Sequence, residues 1–264
     1  MKNLSLLILA FTFSSTSIAG WWKSHIFQNG DAMLSTYNTE SPLAGPESQL
    51  APRGSAAITD SGELKVTGID YIIHAATGSM SGAAEGGEPT KDSLILSLTN
   101  GLHLAKIKKV NRVAIPLIGG GIFLERMGLS KLELAEIIIT TALQSQSKID
   151  YVFVAYGEED FSVMSKAYTN VKKKFESTSL GQKVWNYTLG ALKNARKERF
   201  FAHSEVVQGS ITDFQLHGAD AIFNAANMEL QFGGGISGFI GKATGSAQEI
   251  DAICAELIKS YWQN

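Results

Sequence analysis

The chain has 264 residues, 44% hydrophobic and 18% charged, with 26 Gly and only 5 Pro. That length buries one large core or two small ones, and the composition excludes disorder, collagen and coiled coil. The formal charge of −2, or −3 once a leader carrying Lys2 and no acid is removed, gives no general field for a polyanion, so nucleic acid is not an expected partner. Cys254 is the only cysteine, which rules out an internal disulfide or a cysteine-based metal site within one chain.

Residues 1–19 have the pattern of a secretory signal peptide: Lys2 is the positive n-region, Leu4 to Phe13 the apolar h-region, and Ser17-Ile18-Ala19 a small-x-small cleavage site. The h-region is too short to span a bilayer, and no later segment is long and apolar enough to do so. The expectation is a soluble exported protein, secreted or periplasmic. Residues 20–53 read as an N-terminal extension: Trp21 and Trp22 suit a packing anchor, and three of the five prolines fall in Pro42 to Pro52, a linker or extended wrap.

From Gly54 the pattern is α/β. Continuous β-branched and aromatic runs at Asp70 to Ala76, Arg112 to Leu117, Asp150 to Tyr156, Glu205 to Gln208 and Asp220 to Ala225 predict buried strands. Leu94, Leu98, Leu102 and Ala105 recur at helical spacing, and Ser130 with Glu133 forms a capping box for the next helix. Between Met164 and Arg199 the pattern is helical without strands, and nine Lys or Arg face only Glu176 and Glu198. This stretch is a solvated helix face or a docking patch for an anionic partner.

Two loops carry the chemistry. Asn224-Ala225-Ala226-Asn227 ends a strand and leads to Gly233-Gly234-Gly235, where the missing Cβ atoms let backbone N–H groups approach a diphosphate, with the positive end of the next helix on the same anion. Asn224 and Asn227 supply neutral donors and acceptors suited to ribose hydroxyls. Gly119-Gly120-Gly121, followed by Ile122 and Phe123, again ends a strand, so the two loops clasp a diphosphate from both sides while Phe123 packs on a sugar face or in the core. Gly233 to Gly238 also fits G-x-G-x-x-G, but seven residues separate it from its strand, which makes an NAD-dependent oxidoreductase a distant alternative. His25, His74, His103, His203 and His217 lack metal spacing, and neither a metal nor a cofactor is implied.

These residues resemble the macro domain, the ADP-ribose-binding family. Gly209-Ser210-Ile211-Thr212, Asp220 to Asn227, Leu230 and Gly233 to Gly245 look like its first half, and Gly54 to Thr59, Ile72 to His74, Ala114 to Phe123 and Tyr151 to Tyr156 like its second. The order is reversed, as in a circular permutation with a second half at 54–161, a basic connector at 162–204 and a first half at 205–264. The resemblance implies a three-layer α/β/α fold with a mixed, mainly parallel sheet. It also implies ADP-ribose, or an ADP-ribosylated protein, as the partner. Asn227 would face the distal ribose as a catalytic candidate. Phe123 would lie beside it, with Ser210 and Ile211 at the adenine and Ile236 and Ser237 completing the second loop. The family usually has Asp where this chain has Ser210, and its hydrolytic members have an acid and a His where it has Ser237 and Gly241. The expected role is therefore a reader of ADP-ribosyl groups, with hydrolysis of ADP-ribosyl or O-acetyl-ADP-ribose esters as the alternative. Gln248-Glu249 resembles a glycohydrolase motif but reads better as part of a Ser246–Glu249 capping box, and Glu85 and Glu88 are candidate bases from a glycine-rich loop.

Overall fold

The computed structural model describes residues 26–36, 39, 50–79, 87–145, 147–177 and 189–263. The leader, Trp21 and Trp22, most of Pro42 to Pro52, and Glu85 lie outside the described residues. Eight strands form one sheet: β1 (Ile26–Asn29), β2 (Ala32–Ser35), β3 (Ala56–Asp60), β4 (Tyr71–Ala76), β5 (Arg112–Pro116), β6 (Asp150–Ala155), β7 (Ser204–Gln208) and β8 (Ala221–Ala226). Their spatial order is β1-β2-β3-β4-β8-β5-β6-β7. The first four pair antiparallel, and all pairings from β4 through β8 to β7 are parallel.

The parallel strands β4, β5, β6 and β8 read as apolar runs because both faces are covered. β7 lies at the sheet edge with no residue fully buried, which corrects the expectation of a buried strand at Glu205 to Gln208. Alternate residues enter opposite cores: Ile73, Phe223, Ile115 and Phe153 on one side, Ile72, Ile222, Ala114 and Val152 on the other. The first core is closed by α1 (Lys91–Ile107), α3 (Lys131–Gln144) and α4 (Glu158–Ser177), which follows the short α2 (Phe123–Arg126) and α3 in the chain. After α5 (Leu189–Ala202) and the short α6 (Phe214–His217), the second core is closed by α7 (Gly235–Ala243) and α8 (Ala247–Gln263). The result is the expected three-layer arrangement. The Ser130–Glu133 capping box starts α3 as expected, whereas Ser246 Oγ donates to the Thr244 carbonyl (3.3 Å) rather than forming a box at α8. Among the described residues, no helix is long and apolar enough to cross a membrane.

The boundary at residue 54 needs correction. β1 and β2 form a hairpin through Gly30-Asp31 and add two strands to the sheet, so residues 26–35 belong to the domain rather than to a linker. Every residue of β2 is buried, and Ser35 Oγ donates to Asn100 Oδ1 on α1 (2.7 Å). Leu50 and Ala51 are tied down as well, by Trp262 Nε1 donating to the Leu50 carbonyl (3.0 Å) and by Ala51 N donating to Met228 O (2.7 Å). On the basic helices, part of the charge is answered locally: Lys174 pairs with Glu136 and Arg199 with Asp150.

Candidate functional site

β5 and β8 are neighbours in the parallel part of the sheet, so the loops that leave their C-terminal ends emerge side by side. Gly119 to Gly121 and Gly233 to Gly235 line one cavity of about 950 Å³, although more than a hundred residues separate them in sequence. Gly121, Gly233 and Gly234 have nothing within 4 Å of the place a Cβ would occupy. Their lack of side chains therefore keeps the cavity open and is not demanded by packing. Gly233 N donates to Ser237 Oγ (3.3 Å), and Phe232 N donates to Asp251 Oδ1 (2.9 Å), which fixes the second loop at both ends. α7 starts at Gly235 and points its positive end into the cavity.

Only two charged side chains are among the described residues lining this cavity, Asp160 and Glu229, and both are acidic. An anion bound between the loops is thus met by backbone dipoles rather than by Lys or Arg.

Most of the residues expected from the sequence meet here: Ser210, Ile211, Asn227, Ile122, Phe123, Ile236 and Ser237 line the cavity with the six glycines. Asn227 Oδ1 accepts from Gln231 N (3.3 Å), closing the turn that carries the chain from β8 to the glycines. Ile211 is held by His217, whose Nδ1 accepts from Ala219 N (3.0 Å) while Nε2 donates to the Ile211 carbonyl (2.9 Å). Burial, the largest influence on His217, lowers its pKa and favours this neutral tautomer.

Asn224 is the exception. Strand alternation puts it on the same face as Ile222, where it is fully buried and its Nδ2 donates to Nδ1 of His74 (3.3 Å) on the paired strand β4. His74 Nε2 in turn lies 2.9 Å from Thr59 Oγ1, and its ring packs on Phe232 with centroids 5.4 Å apart. Asn224 therefore supports the loop from beneath, and only Asn227, beyond the end of the strand, enters the cavity. Glu88 also leaves the candidate set: it is exposed and paired with Arg126 (2.6 Å), away from the cavity lining. The dinucleotide alternative lacks its context, because α7 leads into α8 and not into another strand.

Sequence reasoning missed Ser79, Tyr156, Asp160, Glu229, Gln231 and Phe239, all of which line the cavity. Tyr156 was within reach, since it closes an apolar run where the ligand edge of a parallel sheet is expected. Glu229 lies between the two motifs that define the loop, and its Oε1 accepts from Ser79 Oγ (3.4 Å). Among the described residues, no group of three His, Cys, Asp or Glu is placed to hold a metal ion.

The fold is thus an α/β domain with a mixed sheet between two helical layers and a cleft of glycine loops at the C-terminal strand ends. The macro domain family model matches residues 31–130. A macro domain-containing protein of Caldanaerobacter subterraneus subsp. tengcongensis is 31% identical over 126 residues, covering 46% of this chain and 66% of that relative, just under two thirds of its length. Both similarities support a macro domain in this chain, and members of that family generally bind ADP-ribose. The family match begins at Asp31, next to β2, in keeping with the corrected boundary.

Proposed function

We propose that the cleft binds ADP-ribose, free or attached to a target protein, and that the protein acts as a reader of this group. The observation that carries the reading is the meeting of two glycine loops, each at the end of a neighbouring parallel strand, across one cavity without a lining cation among the described residues. Such a cavity suits a diphosphate held by N–H groups, with a ribose and a base extending to either side. Asn227 and Phe123 supply the distal ribose end, and Ser210, Ile211 and Tyr156 the base end. Calorimetric titration with ADP-ribose tests the reading: saturable binding supports it, and no uptake at millimolar ligand overturns it.

The order of the motifs along the chain supports a circularly permuted macro domain, with the family's first half at 205–264. The leader pattern at 1–19 supports export, which a mature N-terminus at Gly20 in the exported protein would establish.

One observation favours a second reading, hydrolysis of an ADP-ribosyl ester. Glu229, two residues after Asn227, brings a carboxylate into a cavity where Ser237 replaces the usual acid. As general base it would take a proton from the water that attacks the ester carbonyl, releasing the ribose hydroxyl and the free acid. Turnover by the wild type that falls by roughly 10²-fold or more in Glu229→Gln, with ADP-ribose affinity kept, would establish the enzyme. Binding without turnover leaves the reader.

A further inference from the structure

The C-terminal ends of β6 and β7 form one end of the cleft, joined by Gly209 N donating to Ala155 O (2.9 Å). Its floor is apolar, with Val154 and Ile211 both buried. Two large rings reach the same cavity and remain open to solvent, Tyr156 at 78% exposure and Phe239 at 49%. Flat apolar walls of this kind accept a heterocyclic base by stacking, which is tolerant of base identity. Selection among bases must then come from polar groups at the edge.

Ser210 is poorly placed to select. Its Oγ accepts from Thr212 N (3.2 Å) and shares a hydrogen bond with Thr212 Oγ1 (2.9 Å), so the hydroxyl is committed to its own turn. Asp160 is in the opposite position. It lies in the first turn of α4, where the helix dipole favours a negative charge, and its Oδ1 accepts from Lys131 Nζ (2.9 Å). Lys131 is also held by Glu159 (3.0 Å), so it orients the Asp160 carboxylate. One ammonium leaves most of the lone-pair sites of a carboxylate available.

We infer that Asp160, oriented by Lys131, selects the base in this cleft by accepting a hydrogen bond from an exocyclic amine, favouring a 6-aminopurine over a 6-oxopurine. This rests on the ADP-ribose reading and adds to it the residue that sets base specificity. An ionised carboxylate only accepts, so it gains from the N6 amino group of adenine and is repelled by the O6 carbonyl of hypoxanthine.

The test is calorimetric titration of wild type, Asp160→Ala and Asp160→Asn with ADP-ribose and with its hypoxanthine counterpart. Circular dichroism confirms that each variant is folded. The wild type is expected to prefer ADP-ribose by roughly tenfold or more. Asp160→Ala is expected to bring the ratio close to one, mainly by weakening ADP-ribose. Asp160→Asn, whose amide can donate to O6, is expected to flatten or invert it. Equal wild-type affinities, or a preference that survives in Asp160→Ala, overturn the inference while leaving ADP-ribose binding intact. So does a preference removed by Ser210→Ala instead. A wild type that binds neither ligand removes the ADP-ribose reading and this inference with it.

Discussion

The ring of Phe232 occupies the space that a side chain at Gly241 would need: a Cβ added there would lie 2.7 Å from Phe232 Cγ. Phe232 is also held by its N–H on Asp251 and by ring contact with His74, so it cannot easily withdraw. The hydrolytic pattern with a His at this place is therefore closed to this chain by packing.

Gly241→Ala is accordingly expected to lower stability by about 1–3 kcal/mol, the cost of overpacking a filled core. Urea denaturation measures it. Adding Phe232→Ala should recover part of the loss, because the two side chains compete for one space and their effects do not add.

Gly234→Val should abolish ADP-ribose binding and leave the fold unchanged. Gly234 has extended backbone with φ −83°, and open space surrounds its Cβ position, so a branched side chain is accommodated without strain and projects where the diphosphate would lie. An unchanged melting temperature with no calorimetric signal is the expected pair of results. Retained affinity would argue against the glycine clasp.

His74 gives the fold a pH dependence. Burial lowers it from 6.5 to about 3, so the folded protein keeps it neutral while the unfolded chain protonates it near pH 6.5. Between these values the unfolded state binds the extra proton. Stability from this group is complete above pH 6.5 and is lost as the pH falls toward 3, by about 1.4 kcal/mol per pH unit. Urea midpoints at pH 7, 5 and 4 should fall more steeply in the wild type than in His74→Gln.

Leu34→Ala tests whether β2 is part of the domain. Leu34 is fully buried in the second core, and its truncation should cost about 2–5 kcal/mol, as for other buried leucines. A change of a few tenths of a kcal/mol, typical of a linker residue, would contradict the assignment.

What the sequence disclosed follows from where each element sits. β4, β5, β6 and β8 announce themselves because strands covered on both faces are largely apolar, while the edge strand β7 shows only its two valines. β1 and β2 do not: each is four residues long, Ala-Met-Leu-Ser has little β-branched character, and the nearby prolines suggested a linker. The glycine loops were legible because each follows an apolar run with three consecutive glycines, a pattern that stands out in the sequence. Asn224 was misplaced because it was read with the motif and not with the alternation of its strand. Asp160 was invisible in the run Glu158-Glu159-Asp160, which looks like any acidic helix start, and only the adjacency of β6 and β7 gives it a place in the cleft.

The position of β8 also governs how the protein must assemble. Tyr71 to Ala76 pair with Ala221 to Ala226, a separation of 150 residues, and the same strand fills the gap beside β5. Until residue 226 has emerged, β4 and β5 each present a bare edge, and closing that gap spends the loop entropy of most of the chain at once. Folding should therefore wait for the C-terminal quarter and proceed slowly for a domain of this size. A chain cut short before β8 is left with two hydrophobic strand edges that only association with other molecules can cover.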